Sequence, residues 1–190
     1  MHSKRIQGFR SWVIGLLTIA TALMLAPWPS LSARAESASD QEYRLKAAFL
    51  YNFGKFVEWP AKSFPDARTP FTVCVIGKDP FRGALDDIKD KSIGGRSMSV
   101  RGIAGIEDAG QCHILFISSS EKENLPSILK VIRNKSILTV GDTKSFAESG
   151  VMINLSLSDN KISLEINPIA AEQAALKISS KLLQLGRIVK

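Results

Sequence analysis

Three short apolar runs constrain this chain more than any other feature: FTVCVIG (71–77), HILFIS (113–118) and SILTVGD (136–142). Each is rich in β-branched residues and shows little alternation. That pattern reads as a strand buried on both faces, and such strands need a layer of helix on either side. The stretches between them supply those layers. Asp79-Pro80 reads as an N-cap followed by proline at the first helical position, and opens a helix of about two turns ending near Lys89. Gly94-Gly95 marks a turn, and Met98 to Gly102 forms a further strand. Leu125, Ile128, Leu129 and Ile132 make a helical stripe. Its start stays open, because a capping box at Ser120 and Glu123 would leave Pro126 inside the helix. Asp142 reads as the cap of a short helix through Ala147.

A hairpin follows. Val151, Ile153, Leu155 and Leu157 alternate with polar or flexible residues, Asp159-Asn160 is turn chemistry, and Ile162, Leu164 and Ile166 alternate in turn. Strands interleaved with helices, then an antiparallel pair, predict an α/β fold. It is a single three-layer domain with a mixed sheet, on which an N-terminal and a C-terminal helix pack.

The N-terminal helix spans Gln41 to about Glu58 and contains FLYNFGKFVEWP (49–60), a concentration of aromatics in a chain that is 7% aromatic. Leu45, Ala48, Phe49, Phe53 and Phe56 recur at helical spacing and are expected to face the core, with Lys46, Lys55 and Glu58 turned away. Tyr51 lies off that stripe, and Trp59 at the helix end could line a groove. Pro60 ends the helix. The C-terminal helix opens at Asn167-Pro168, with a stripe of Ala171, Ala175, Ile178, Leu182, Leu185 and Val189. Leu176 and Leu183 fall outside it, on a neighbouring face with Ser179, Ser180 and Arg187. Two readings stand: that face is buried more deeply, or it is a second contact surface.

Residues 1–35 read as an export signal. Lys4, Arg5 and Arg10 precede the apolar run Trp12–Ala26, and Ala33-Arg34-Ala35 supplies small residues for cleavage between Ala35 and Glu36. An uncleaved anchor is the alternative. Residues 36–40 are expected to be flexible, and 41–190 to form the domain. Losing the signal removes four basic residues and no acid, so net charge falls from +7 to +3. That balance is no argument for nucleic acid. An exported chain that keeps two cysteines, Cys74 and Cys112, favours a disulfide over two buried thiols.

Catalytic and metal signals are weak. After cleavage His113 is the one histidine, opening an apolar strand beside Cys112. A Cys–His pair needs the two close in space, and adjacent strand residues point to opposite faces. No compact set of zinc ligands exists, and GKDPFRG (77–83) lacks the phosphate-loop spacings. The expectation is a protein that is no enzyme and carries no cofactor or metal.

AAFLYNFGKFVEWP, CHILFIS, ILTVGD, GVMINLSLSDNKISLEIN and LKISSKLLQLGRIV, in that order, resemble the YfiR-type periplasmic regulators from about Tyr43 to Val189. The resemblance implies a small exported α/β domain that binds the periplasmic sensor domain of an inner-membrane diguanylate cyclase and represses it. Cyclic di-GMP and biofilm formation are thereby controlled. It also implies an outer-membrane lipoprotein that can sequester the repressor, and it leaves room for a homodimer. Cys74 and Cys112 match the family's disulfide, whereas the positions of a second bridge near the hairpin hold no cysteine here. Glu165 matches a position implicated in cyclase contact, and the segment carrying Leu176, Ser179, Ser180, Leu183 and Arg187 belongs to the same partner-facing region. The alternative is a periplasmic small-molecule sensor signalling to a histidine kinase or another membrane partner.

Overall fold

The computed structural model describes residues 37–158 and 161–189, all within the compact unit Glu36–Lys190. The expected signal segment, its cleavage site at Ala35–Glu36 and the hairpin turn Asp159-Asn160 lie outside the described residues.

The three apolar runs are strands at the centre of one sheet. They are β2 (Phe71–Ile76), β5 (Ile114–Ile117) and β6 (Leu138–Gly141), all buried. Around them lie β1 (Val57–Glu58), β3 (Ser92–Ile93), β4 (Arg96–Ile103), the hairpin β7 (Ile153–Ser158) and β8 (Lys161–Ile166), β9 (Lys177–Ile178) and β10 (Gly186–Ile188). Eight strands join in the order β10-β8-β7-β6-β5-β2-β4-β3. The run β7-β6-β5-β2-β4 is parallel, β10 is parallel to β8, and β7–β8 and β3–β4 are antiparallel. β1 and β9 form a separate antiparallel pair.

Burial on both faces follows from alternation along each strand. Val73, Val75, Ile114 and Phe116 belong to one apolar cluster, and Cys74, Ile76, Leu115 and Ile117 to the other. The first cluster is covered by α1 (Ala38–Phe56), the one-turn α2 (Asp86–Lys89), α4 (Pro168–Gln173) and α5 (Ser180–Leu183). The second lies under α3 (Leu125–Ile132) and Phe146. Pro126 sits in the first turn of α3, where no backbone N–H is needed, and this settles the start that the sequence left open.

The N-terminal helix begins at Ala38, earlier than expected, because Ser37 Oγ accepts the Asp40 N–H at 3.1 Å and caps it. Its buried face is rotated from the expected one. Lys46, Ala47, Leu50, Phe53 and Gly54 are buried. Phe49 is partly buried against the core, while Leu45 and Phe56 are 47% and 37% exposed. Two residues pull the helix round. At Gly54 a Cβ would lie 2.3 Å from Ile93 Cδ1 and 3.2 Å from the Phe71 ring, so only a glycine lets helix and sheet approach this closely here. Lys46, expected in solvent, is instead drawn in by Asp142, whose Oδ2 accepts from Lys46 Nζ at 2.7 Å and from Tyr43 OH at 2.8 Å. Glu42 also pairs with Lys46. Burial, then the charge and hydrogen bond of Asp142, raise the Tyr43 hydroxyl well above its ordinary pKa. Asp142 therefore does not cap a helix; it fastens α1 to the carboxyl end of β6.

The expected single C-terminal helix is four pieces, two short helices and two short strands. Asn167 Oδ1 caps α4 by accepting from Ala170 N at 3.0 Å. The helix stops after Gln173 with Ala175 at φ +57°. The Leu176 N–H then reaches the Ala171 carbonyl and the Ala175 N–H the Glu172 carbonyl, both at 2.9 Å. This is a Schellman ending with alanine at the position where glycine is usual. The chain then extends as β9, pairing Ile178 with Val57 and Lys177 with Glu58. Ser179 Oγ caps α5 by accepting from Leu182 N at 3.3 Å, and β10 closes the sheet edge. Pairing with β1 and β8 outweighs the local helical periodicity.

Candidate functional site

The C-terminal pieces build one sheet edge. β10 pairs with β8 on one side, and no other described strand pairs with it. Gly186 permits this docking, since a Cβ there would sit 2.8 Å from Ile166 Cδ1. Arg187 lies opposite Glu165 in the parallel register and forms an ion pair with it, and reaches Glu148 at 3.5 Å. Asn154, fully buried on β7, donates Nδ2–H to Glu165 Oε2 at 3.0 Å. Burial alone would raise the Glu165 carboxyl, but the hydrogen bonds from Asn154 and Arg187 and the arginine charge outweigh it, so the net shift is downward. Glu165 is thus part of the fastening of β10, not a free surface carboxylate.

The expected partner-facing residues divide. Glu165 and Arg187 come together, and Ser180 is exposed at the start of α5. Ser179 is engaged as a cap, and its N–H donates to the Phe56 carbonyl at 2.9 Å. Leu183 is half-buried against the core. Leu176 is 3% exposed, which corrects its placement on a contact surface: the Schellman ending tucks it into the core. The sequence reading missed Leu185 and Ile188. They lie two residues before and one residue after Arg187 and are 68% and 45% exposed, whereas helical spacing puts Leu185 in the core stripe. Gly186 followed by the strand-prone Arg187-Ile188-Val189 was the available signal. Tyr51 and Trp59, expected at a groove, both pack against the core. The Tyr51 hydroxyl donates to the Ser92 carbonyl at 3.4 Å, and the Trp59 ring meets Phe71 edge-on at 5.0 Å.

Cys74 and Cys112 form a disulfide with Cα atoms 5.8 Å apart, tying β2 to the entrance of β5. His113, next to it, is structural. Its Nδ1 accepts the Thr72 N–H at 3.1 Å, which places the proton on Nε2, and Nε2–H donates to the Ser63 carbonyl at 3.0 Å. Its ring stacks on Phe64 at 4.5 Å and Phe71 at 5.0 Å. Arg96 covers Phe64 and donates to the Asp66 and Thr69 carbonyls.

Burial first, and the Arg96 charge with it, lower the His113 pKa despite its bond to Ser63. The unfolded chain therefore takes this proton first. The histidine's contribution is complete above the unfolded value of about 6.5 and is lost as pH falls through the depressed folded value. Melting curves from pH 8 to pH 5 should show a steeper acid-side loss for wild type than for His113→Gln. Equal slopes would show that His113 does not set the acid limit.

The chain belongs to the YfiR/HmsC-like family (DUF4154), whose pattern matches residues 43–187. Among curated proteins none matches the sequence. Two solved structures are similar in outline: the ABC domain in complex with L-Trp from Streptococcus pneumonia and a conserved domain protein from Vibrio cholerae O1 biovar eltor str. N16961. The first has TM-score 0.46 and 7% identity, covering 63% of this chain and 55% of its own. The second has TM-score 0.46 and 14% identity, covering 80% and 60%. Neither likeness carries an argument about this chain.

Proposed function

We propose that this protein is a periplasmic regulator that docks on the periplasmic domain of an inner-membrane diguanylate cyclase and holds it inactive, so restraining cyclic di-GMP and biofilm formation. Membership of the YfiR/HmsC-like family supports a regulatory role. The observation that carries the docking edge is the strand β10, which exposes Ile188 on the sheet face opposite the Glu165–Arg187 pair and is entered by the exposed Leu185. A strand edge offers backbone donors and acceptors, and apolar side chains beside a fixed charge pair give contact area and orientation. Sequestration by an outer-membrane lipoprotein would compete for the same repressor.

Leu185→Asp is the cleanest test, because its parent side chain is largely in solvent. The folding change should stay within about 0.5 kcal/mol. Co-purification with the membrane cyclase should fall and cellular cyclic di-GMP should rise. An unchanged cyclic di-GMP level with well-folded Leu185→Asp protein would reject this edge. Glu165→Lys is a less selective probe, since it sets a lysine against Arg187 and removes the acceptor of Asn154. It should lower both the melting temperature and partner binding.

A further inference from the structure

A concavity opens at the amino ends of β2, β5 and β6. Segments 62–72, 110–113 and 134–137 surround about 710 Å³, within the size range of small-molecule sites. Its lining carries Lys62, Arg68 and Lys135. None of these three cations has a carboxylate partner among the described residues. Asp66 is the one acidic residue of the lining, and its Oδ1 already accepts the N–H groups of Arg68 at 2.7 Å and Thr69 at 2.8 Å. Ser136, also in the lining, has a buried Oγ with no hydrogen-bond partner. An orphaned buried hydroxyl is destabilising unless something completes it. Both ring nitrogens of His113 are committed, so the concavity offers cations and a hydroxyl but no free imidazole to move a proton.

Isolated surface lysines are ordinary. Three cations without a carboxylate partner around one concavity that holds a single acid, with a hydroxyl left over, are a different matter. We infer that this concavity is a binding site for a small organic anion carrying two or more phosphate or carboxylate groups. More than one acidic group is required to answer three cations, and the volume leaves room for an organic body between them. The inference goes beyond partner docking and uses none of the residues of the β10 edge.

The test uses the exported chain with its disulfide intact, titrated with pyrophosphate and with citrate at fixed ionic strength. Calorimetry and melting temperature are both followed. At least one of the two anions should bind and raise the melting temperature, and the stronger of the two tells phosphate from carboxylate chemistry. Added sodium chloride should weaken binding, because the cations are solvent-accessible. The double variant Lys62→Ala/Lys135→Ala should bind at least about tenfold more weakly while its unliganded melting temperature stays close to wild type, as surface changes usually allow. Ser136→Ala should weaken binding while leaving the unliganded protein as stable or more so, the opposite of what a purely structural hydroxyl would give. Lys177→Ala, whose parent lysine pairs with Glu58 outside this lining, should bind like wild type. Absence of binding by either anion at millimolar concentration, or binding untouched in the double variant, would overturn the assignment.

Discussion

Phe53→Ala should destabilise the protein by about 3–5 kcal/mol, the range for deleting a fully buried aromatic ring. Phe53 has no exposed surface and sits in the cluster between α1 and the sheet, with Phe49 at 6.0 Å between ring centroids. Gly54 beside it holds the helix so close to Ile93 and Phe71 that neither element can settle inward to fill the space. The loss should therefore fall in the upper part of the range. For a domain of this size each kcal/mol lowers the melting temperature by roughly 2–4 °C, so a fall on the order of ten degrees is expected. Phe56→Ala, one helical turn on, should cost far less, because Phe56 is more than a third exposed. The pair of melting curves checks the rotation of α1 directly. Equal losses at Phe53 and Phe56 would restore the face on which Phe49, Phe53 and Phe56 are all core. Any effect of Phe53→Ala on cyclic di-GMP should follow the folded fraction and vanish at low temperature.

The central sheet was legible because its strands are unusual in being apolar on both faces. FTVCVIG, HILFIS and SILTVGD could be little else, and each strand falls within one or two residues of its apolar run. The hairpin was legible for a second reason. Period-two alternation fixes which residues share a face, and the register pairs Ile153 with Ile166, Leu155 with Leu164 and Leu157 with Ile162. The N-terminal helix was legible as a helix but not in its orientation. Residue-by-residue hydrophobicity puts Lys46 outside and Leu45 inside, whereas Asp142, 96 residues away in sequence, reverses both. No local signal carries that partner.

The C-terminal region failed for a related reason. Alanines and leucines at helical spacing from 171 to 189 describe what the segment would do alone. The strand pairings of Lys177–Ile178 with Val57–Glu58 and of Gly186–Ile188 with Leu164–Ile166 are what it does in the domain. The breaks had modest sequence signals, a serine able to cap at 179 and a glycine at 186. The αL alanine at 175 had none. The residues of the candidate edge were consequently found in part: Glu165 and Arg187 were picked out, but as independent contacts and not as an ion pair. Leu185 was hidden inside a stripe that does not exist.

Removing the disulfide should have an effect as large as removing Phe53. Cys74 and Cys112 are 38 residues apart, and the loop they close contains α2, β3 and β4. In the chain-entropy picture, closing a loop of that length stabilises the folded state by about 4 kcal/mol, by restricting the unfolded chain. Few native contacts need change, since β2 and β5 are already joined by their own parallel hydrogen bonds from Val73–Ile114 to Ile76–Ile117. Cys74→Ala/Cys112→Ala should therefore keep the native sheet and still unfold at much lower urea, with wild type showing no free thiol under denaturing alkylation. The serine pair should be less stable again. Both positions are buried in an apolar cluster with Leu115, Ile117 and Phe146, where a hydroxyl finds no partner. The order wild type, alanine pair, serine pair separates the two contributions: the first step measures the lost cross-link, the second the polarity of the site. Alanine and serine pairs of equal stability would mean the site is wetter than its burial indicates. An alanine pair as stable as wild type would mean the unfolded chain is already restrained without the bond. Neither Cys74 nor Cys112 lies on the β10 edge, so under the proposed function the folded fraction of either variant should leave cyclic di-GMP at its wild-type level at permissive temperature.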